Sequence, residues 1–119
     1  MRRIILTLII ADKKEVNTAE EVKNEVLGLL QKDSKCVLFE KYEKITGCHK
    51  AVYEIYIDPK ESEQNFNYKL LTLSSSIARP WVIYFQNNYA TEMIFNKTEA
   101  SSCNRPSLNT IIWGQIQVL

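Results

Sequence analysis

Between Ile4 and Ala11 the chain is apolar at every position except Thr7, and four of those residues are isoleucine. A strand with one face in water would place a polar side chain at every second residue. This run does not, so it reads as a central strand covered on both faces, over residues 3–11. A central strand demands a neighbour on each edge, and 119 residues suffice to supply them within one domain, 1–119. At this length about two-thirds of the unfolded chain's surface is buried on folding, so the core needs no disulfide or metal staple.

The same run follows Met1-Arg2-Arg3 and so imitates a secretory signal, but it is short and enters Asp12-Lys13-Lys14 without a small-residue cleavage pattern. It is also far below the roughly 20 residues that span a bilayer, so no membrane partner is expected. Cys36, Cys48 and Cys103 are an odd number at irregular spacing, unlike a disulfide framework. Asn96-Lys97-Thr98 is a formal glycosylation sequon, which matters only on a secreted chain. The expectation is a reducing, cytoplasmic location.

Further elements follow from periodicity and punctuation. Thr18-Ala19-Glu20-Glu21 is a capping box, with Glu21 reaching back. Val22, Val26, Leu29 and Leu30 then form one stripe of a helix that ends near Lys32. Gly28 inside it costs about 1 kcal/mol against alanine, which suggests a close packing contact there. Residues 36–45 and 51–57 form a hairpin about the turn Thr46-Gly47-Cys48-His49-Lys50. Asp58-Pro59-Lys60-Glu61 supplies an N-cap acid and a proline for the second helix. Phe66, Leu70, Leu73 and Ile77 form its buried face, and Pro80 ends it. Residues 81–85, 92–95 and 110–118 complete the strands.

The order is thus β-α-β-β-α-β-β-β, an α+β fold. It is the ferredoxin-like β-α-β-β-α-β order with an additional C-terminal β-hairpin, two helices lying on one face of an antiparallel-rich sheet. Right-handed crossovers place the first and fourth strands side by side in the middle, with the last two strands extending or flanking the sheet. Leu8, Val26, Phe39, Ile55, Leu70 and Ile83 are expected in the core.

Charge restricts function more than it suggests one. Fifteen basic and fourteen acidic residues leave +1, which disfavours a nucleic-acid surface. Tyr53, Tyr56, Tyr84, Phe85 and Trp113 could stack bases in an RNA-binding module of this order, but no RNP-like segment accompanies them. His49 is the only histidine, and its neighbour Cys48 reads as part of a polar turn rather than as a nucleophile. A small ligand-binding or enzymatic domain would need a deep pocket near that pair. No paired ligand spacing points to a metal, and Gly28, Gly47 and Gly114 stand too far apart for a phosphate loop, so no cofactor is expected. Ser74-Ser75-Ser76 reads as small-residue packing.

Charges are concentrated in residues 1–60, which hold 21, against eight in residues 61–119. An amide-rich, aromatic second half suits recognition. Its most informative stretch is residues 96–109, a connection far longer than two strands require. Glu99, Asn104 and Arg105 in it, together with Tyr89 in another connection, are the candidate partner-binding residues.

The short chain, the mixed α+β order, strands such as 81–85 and 111–118, and the lack of a catalytic set resemble small bacterial immunity proteins of contact-dependent growth inhibition and related toxin systems. That resemblance is one of type and spans the whole chain. It implies a non-catalytic protein that binds a cognate toxin domain and covers its active site. One feature departs from it, because immunity to a basic nuclease is often strongly acidic and this chain is not.

Overall fold

The computed structural model describes residues 2–12, 18–30, 33–58 and 60–119. In chain order its elements are β1 (Arg2–Ala11), α1 (Ala19–Leu29), β2 (Lys35–Lys41), β3 (Cys48–Ile57), α2 (Glu63–Ile77), β4 (Ala78–Arg79), β5 (Val82–Gln86), β6 (Tyr89–Asn96), β7 (Ser102–Cys103), a 3₁₀ turn (Pro106–Thr110) and β8 (Ile111–Val118). The fold is α+β, with two helices and a six-stranded antiparallel sheet ordered β2-β3-β1-β8-β6-β5; β4 and β7 pair separately.

β1 is central, with β3 on one edge and β8 on the other. Ile4, Leu6, Leu8 and Ile10 are fully buried in one cluster with Val22 and Val26 of α1 and Phe66, Leu70 and Ile77 of α2. The opposite face of β1 carries no second layer among the described residues, contrary to the expectation of cover on both sides. Ile9 is buried there by its cross-strand neighbours Lys50 and Trp113, while Ile5 and Thr7 are half-buried. A wide sheet shields its central strand laterally, which a sequence run cannot distinguish from cover by a layer.

The strand order corrects one expectation. Residues 82–86 do not lie beside β1; they form the far edge, and β8 takes the place next to β1. β5 and β6 make a tight hairpin at Asn87, whose φ of 55° is left-handed, and β6 hands on to β8, so the second half meanders inward. The strand expected at 92–95 is longer, starting at Tyr89.

Element ends also differ. Thr18 caps α1 by accepting from the Glu21 amide at 3.2 Å, but Glu21 receives the Thr18 hydroxyl (3.3 Å) instead of reaching a backbone amide. Asp12, overlooked in the sequence, accepts the Ala19 amide at 3.2 Å and satisfies another orphan donor. α1 stops at Leu29, because Leu30 is already extended; Lys32 lies outside the described residues. The N-cap of α2 is Ser62, not Asp58: its hydroxyl accepts from Asn65 at 3.2 Å, while Asp58 closes a local turn on the Lys60 amide at 2.9 Å. Pro59 lies outside the described residues. Of the six core expectations, Leu8, Val26, Ile55 and Leu70 are buried. Phe39 and Ile83 are half-buried, since both lie on edge strands.

Candidate contact surface

Helix α2 buries Phe66, Leu70 and Ile77 against the sheet, and Leu73 packs beside them. Its remaining apolar side chains have no such place. Tyr68 is 70% exposed and Leu71 44%. With Thr72, Ser75, Ser76 and Arg79 they line a shallow trough along the outer side of the helix, completed by Asn104 from the long connection. Tyr68, Thr72 and Ser76 are shared with a second, half-open cleft of about 210 Å³ between the helices, floored by Leu29, Ile55, Ile57 and Leu73. Of the three serines only Ser74 is buried as expected, donating to the Leu71 carbonyl at 3.0 Å; Ser75 and Ser76 are half-buried along the trough, and Ser76 donates to the Leu73 carbonyl at 2.6 Å.

The long connection is ordered on this frame. β7 pairs with β4 at the end of α2, and the Asn104 amide donates to the Ile77 carbonyl at 3.3 Å. Leu108 is buried in the core, and Lys97 Nζ donates to the Asn109 carbonyl. Arg105 Nη1 lies 3.4 Å from Glu25 Oε1 on α1, and the Ser107 hydroxyl bonds the same carboxylate. Trp81 anchors the far side, its indole N–H shared between the carbonyls of Ser74 (3.0 Å) and Ala78 (2.8 Å) where α2 ends.

Asn104 therefore lies at the α2 end of the trough, while Arg105, next to it in the chain, turns to Glu25 on α1 and does not line it. Glu99 is exposed in the tight turn closed by Thr98 and Ser101. Tyr89 is not brought to them. It packs edge-on against Phe66 (5.7 Å between centroids) near the start of α2, whereas Asn104 binds at the other end. At 1.5 Å per residue, the eleven residues from Phe66 to Ile77 separate those ends by about 16 Å. Tyr68 and Leu71 are not among the sequence candidates, because the apolar pattern of this helix is read from its buried stripe. Two large apolar residues off that stripe are the signal that would have found them.

Cys48 and His49 are consecutive in β3, not in a turn, so they point to opposite faces and thiol cannot meet imidazole. Burial raises the Cys48 pKa, the wrong direction for a nucleophile. His49 stacks on Phe39 at 5.1 Å, with Nδ1 3.9 Å from Asp12 Oδ2 and no hydrogen bond. The five aromatics that could stack bases do not share a platform. Tyr53 is in the core, its hydroxyl donating to the Lys23 carbonyl at 3.0 Å. Tyr84 and Phe85 alternate across β5, while Glu54 and Glu92 stand on the open face beside Tyr56 and Tyr84.

No family model, no curated protein and no solved structure matches this chain. The candidate surface thus rests on geometry alone. Among the described residues no group of three His, Cys, Asp or Glu side chains is placed to hold a metal ion, and no helix is long and apolar enough to cross a membrane.

Proposed function

We propose that this chain is a non-catalytic protein-binding module acting in the cytoplasm, and within that class an immunity protein that binds and neutralises a cognate toxin domain. The observation that carries the reading is the exposed Tyr68–Leu71 side of α2, joined end-on by Asn104 from a connection docked on β4 and α2, with the half-exposed Arg105 beside it in the chain. An exposed tyrosine and leucine on a fixed helix supply desolvation area at little entropic cost, and tyrosine and arginine dominate interface energetics more often than other residues. Covering an active site asks for shape and these anchors, and for no chemistry. The small net charge fits a toxin surface of mild charge.

The test is to sequence the neighbouring genes for a large secreted protein with a variable C-terminal domain, and to titrate that domain calorimetrically against this chain, together with growth protection in cells expressing it. Tyr68→Ala and Arg105→Ala are each expected to weaken the complex by more than about 1 kcal/mol, and Lys97→Ala hardly at all. Arg105→Ala is expected to cost little stability, because its pairing with Glu25 is a partly exposed ion pair. Absence of both binding and protection would sink the immunity reading. Binding that ignores Tyr68 and Arg105 would move the interface elsewhere.

A further inference from the structure

The sheet ends in two edges of different character. β2 carries Lys35, Glu40 and Lys41, the charged protection that natural sheets give an edge. β5 has none: residues 80–91 contain no charged side chain at all. Val82, Tyr84 and Phe85 are 57%, 49% and 59% exposed. The Thr91 hydroxyl on β6 donates to the Tyr84 carbonyl at 3.2 Å, so the backbone of Tyr84 faces β6. Alternation then turns the amide and carbonyl of Ile83 and Phe85 outward, where no strand among the described residues pairs them. The register shift in this hairpin adds its extra residue to β6, between Ala90 and Glu92, and leaves β5 regular.

We propose that β5 pairs antiparallel with β5 of a second copy of this chain, about a two-fold axis through Tyr84. Ile83 then exchanges backbone hydrogen bonds with Phe85 of the second copy, and Phe85 with its Ile83. Tyr84 meets its own equivalent in the close, non-hydrogen-bonded position, and Val82 lies opposite Gln86. The choice of a second copy rests on charge. A two-fold operation sets the residue on the axis against its own equivalent, where a charge would face a like charge, and β5 places the uncharged Tyr84 there with the uncharged pairs Ile83/Phe85 and Val82/Gln86 beside it. An edge meant for a different protein gains from charges complementary to that partner, and β5 offers none. The neutral edge fits itself without bringing like charges together. This dimer leaves the outer side of α2 open and does not depend on the function proposed for it.

Sedimentation velocity over a wide concentration range tests the proposal. The wild-type chain is expected to dimerise. Tyr84→Lys and Tyr84→Glu, each checked for an unchanged melting temperature, are each expected to raise the dimer dissociation constant about tenfold or more. Mixing the two variants should restore dimers, because opposite charges then meet across the axis. Phe85→Pro, which deletes an outward donor, provides a second disruption. A wild-type chain that stays monomeric, or a dimer indifferent to Tyr84 and Phe85, would overturn the proposal. A mixture that remains monomeric would overturn the register through Tyr84.

Discussion

Gly114 on β8 is the residue at which the packing of the core is least forgiving. A Cβ built there would stand 2.8 Å from Trp81 Cη2 and 3.1 Å from a methyl of Leu8. The indole cannot easily retreat: its N–H is held by two carbonyls, and its ring packs on Phe95 at 5.6 Å. Gly114→Ala is therefore expected to destabilise the fold by about 1–3 kcal/mol by urea titration, as overpacking does. Gly28→Ala is the contrast. Gly28 is exposed, with no atom within 4 Å of a built Cβ, so alanine there is expected to stabilise by about 0.5–1 kcal/mol through helix propensity alone. Equal effects at the two sites would mean that the indole moves aside freely. The sequence placed the close contact at the wrong glycine for a physical reason. A helix penalty is local and visible in the residue string, whereas the approach of Trp81 to Gly114 joins residues far apart in the chain.

At the scale of elements, Tyr53 ties β3 to α1 through its hydroxyl on the Lys23 carbonyl. Burial, with a smaller contribution from Cys36, pushes its phenol well above the ordinary tyrosine value. The sign of the pH effect follows. Below about pH 10 the phenol is neutral in both states and its contribution is complete. Above that, the unfolded chain loses the proton and the folded one keeps it, so stability falls as pH rises, by up to about 1.4 kcal/mol per unit for this one group. Tyr53→Phe is expected to cost about 1 kcal/mol at neutral pH and to give a shallower alkaline decline than wild type. Denaturant titrations from neutral to alkaline pH measure both; parallel declines would mean that Tyr53 ionises in place. Elements were the most legible level of the sequence, because each stripe, such as Phe66-Leu70-Ile77, is set within its own segment. The connection at residues 96–109 was legible as long, but not as docked. Its pairing of β7 with β4, its buried Leu108 and its hold on Glu25 all depend on segments distant in sequence.

Strand order is a property of the whole molecule, and there hydrophobicity misleads. The segment Trp81-Val82-Ile83-Tyr84-Phe85 is more apolar than the Ile-Ile-Trp-Gly-Gln-Ile-Gln-Val of β8, yet β5 takes the edge and β8 the centre. What places β8 inside is shape: Gly114 admits Trp81, and both edges of the strand are paired, with β1 and with β6. The two arrangements differ in what the C-terminus does. If residues 81–85 lay beside β1, with the last strands merely flanking the sheet, a chain ending at Gln86 would retain its central pair and fold. In the observed order that truncation removes β6 and β8, strips one edge of β1, and leaves β5 without a neighbour. It also uncovers Ile4, Leu6 and Leu8, whose burial contributes about 1.5–3 kcal/mol each against a total stability of only about 5–15. Residues 1–86 alone are therefore expected to show no cooperative melting by circular dichroism. Deletion of residues 111–119 alone is expected to do the same, since β6 and β5 would then have nothing to join. A cooperative transition in either fragment would mean that β8 is dispensable, and the central place assigned to it would be wrong.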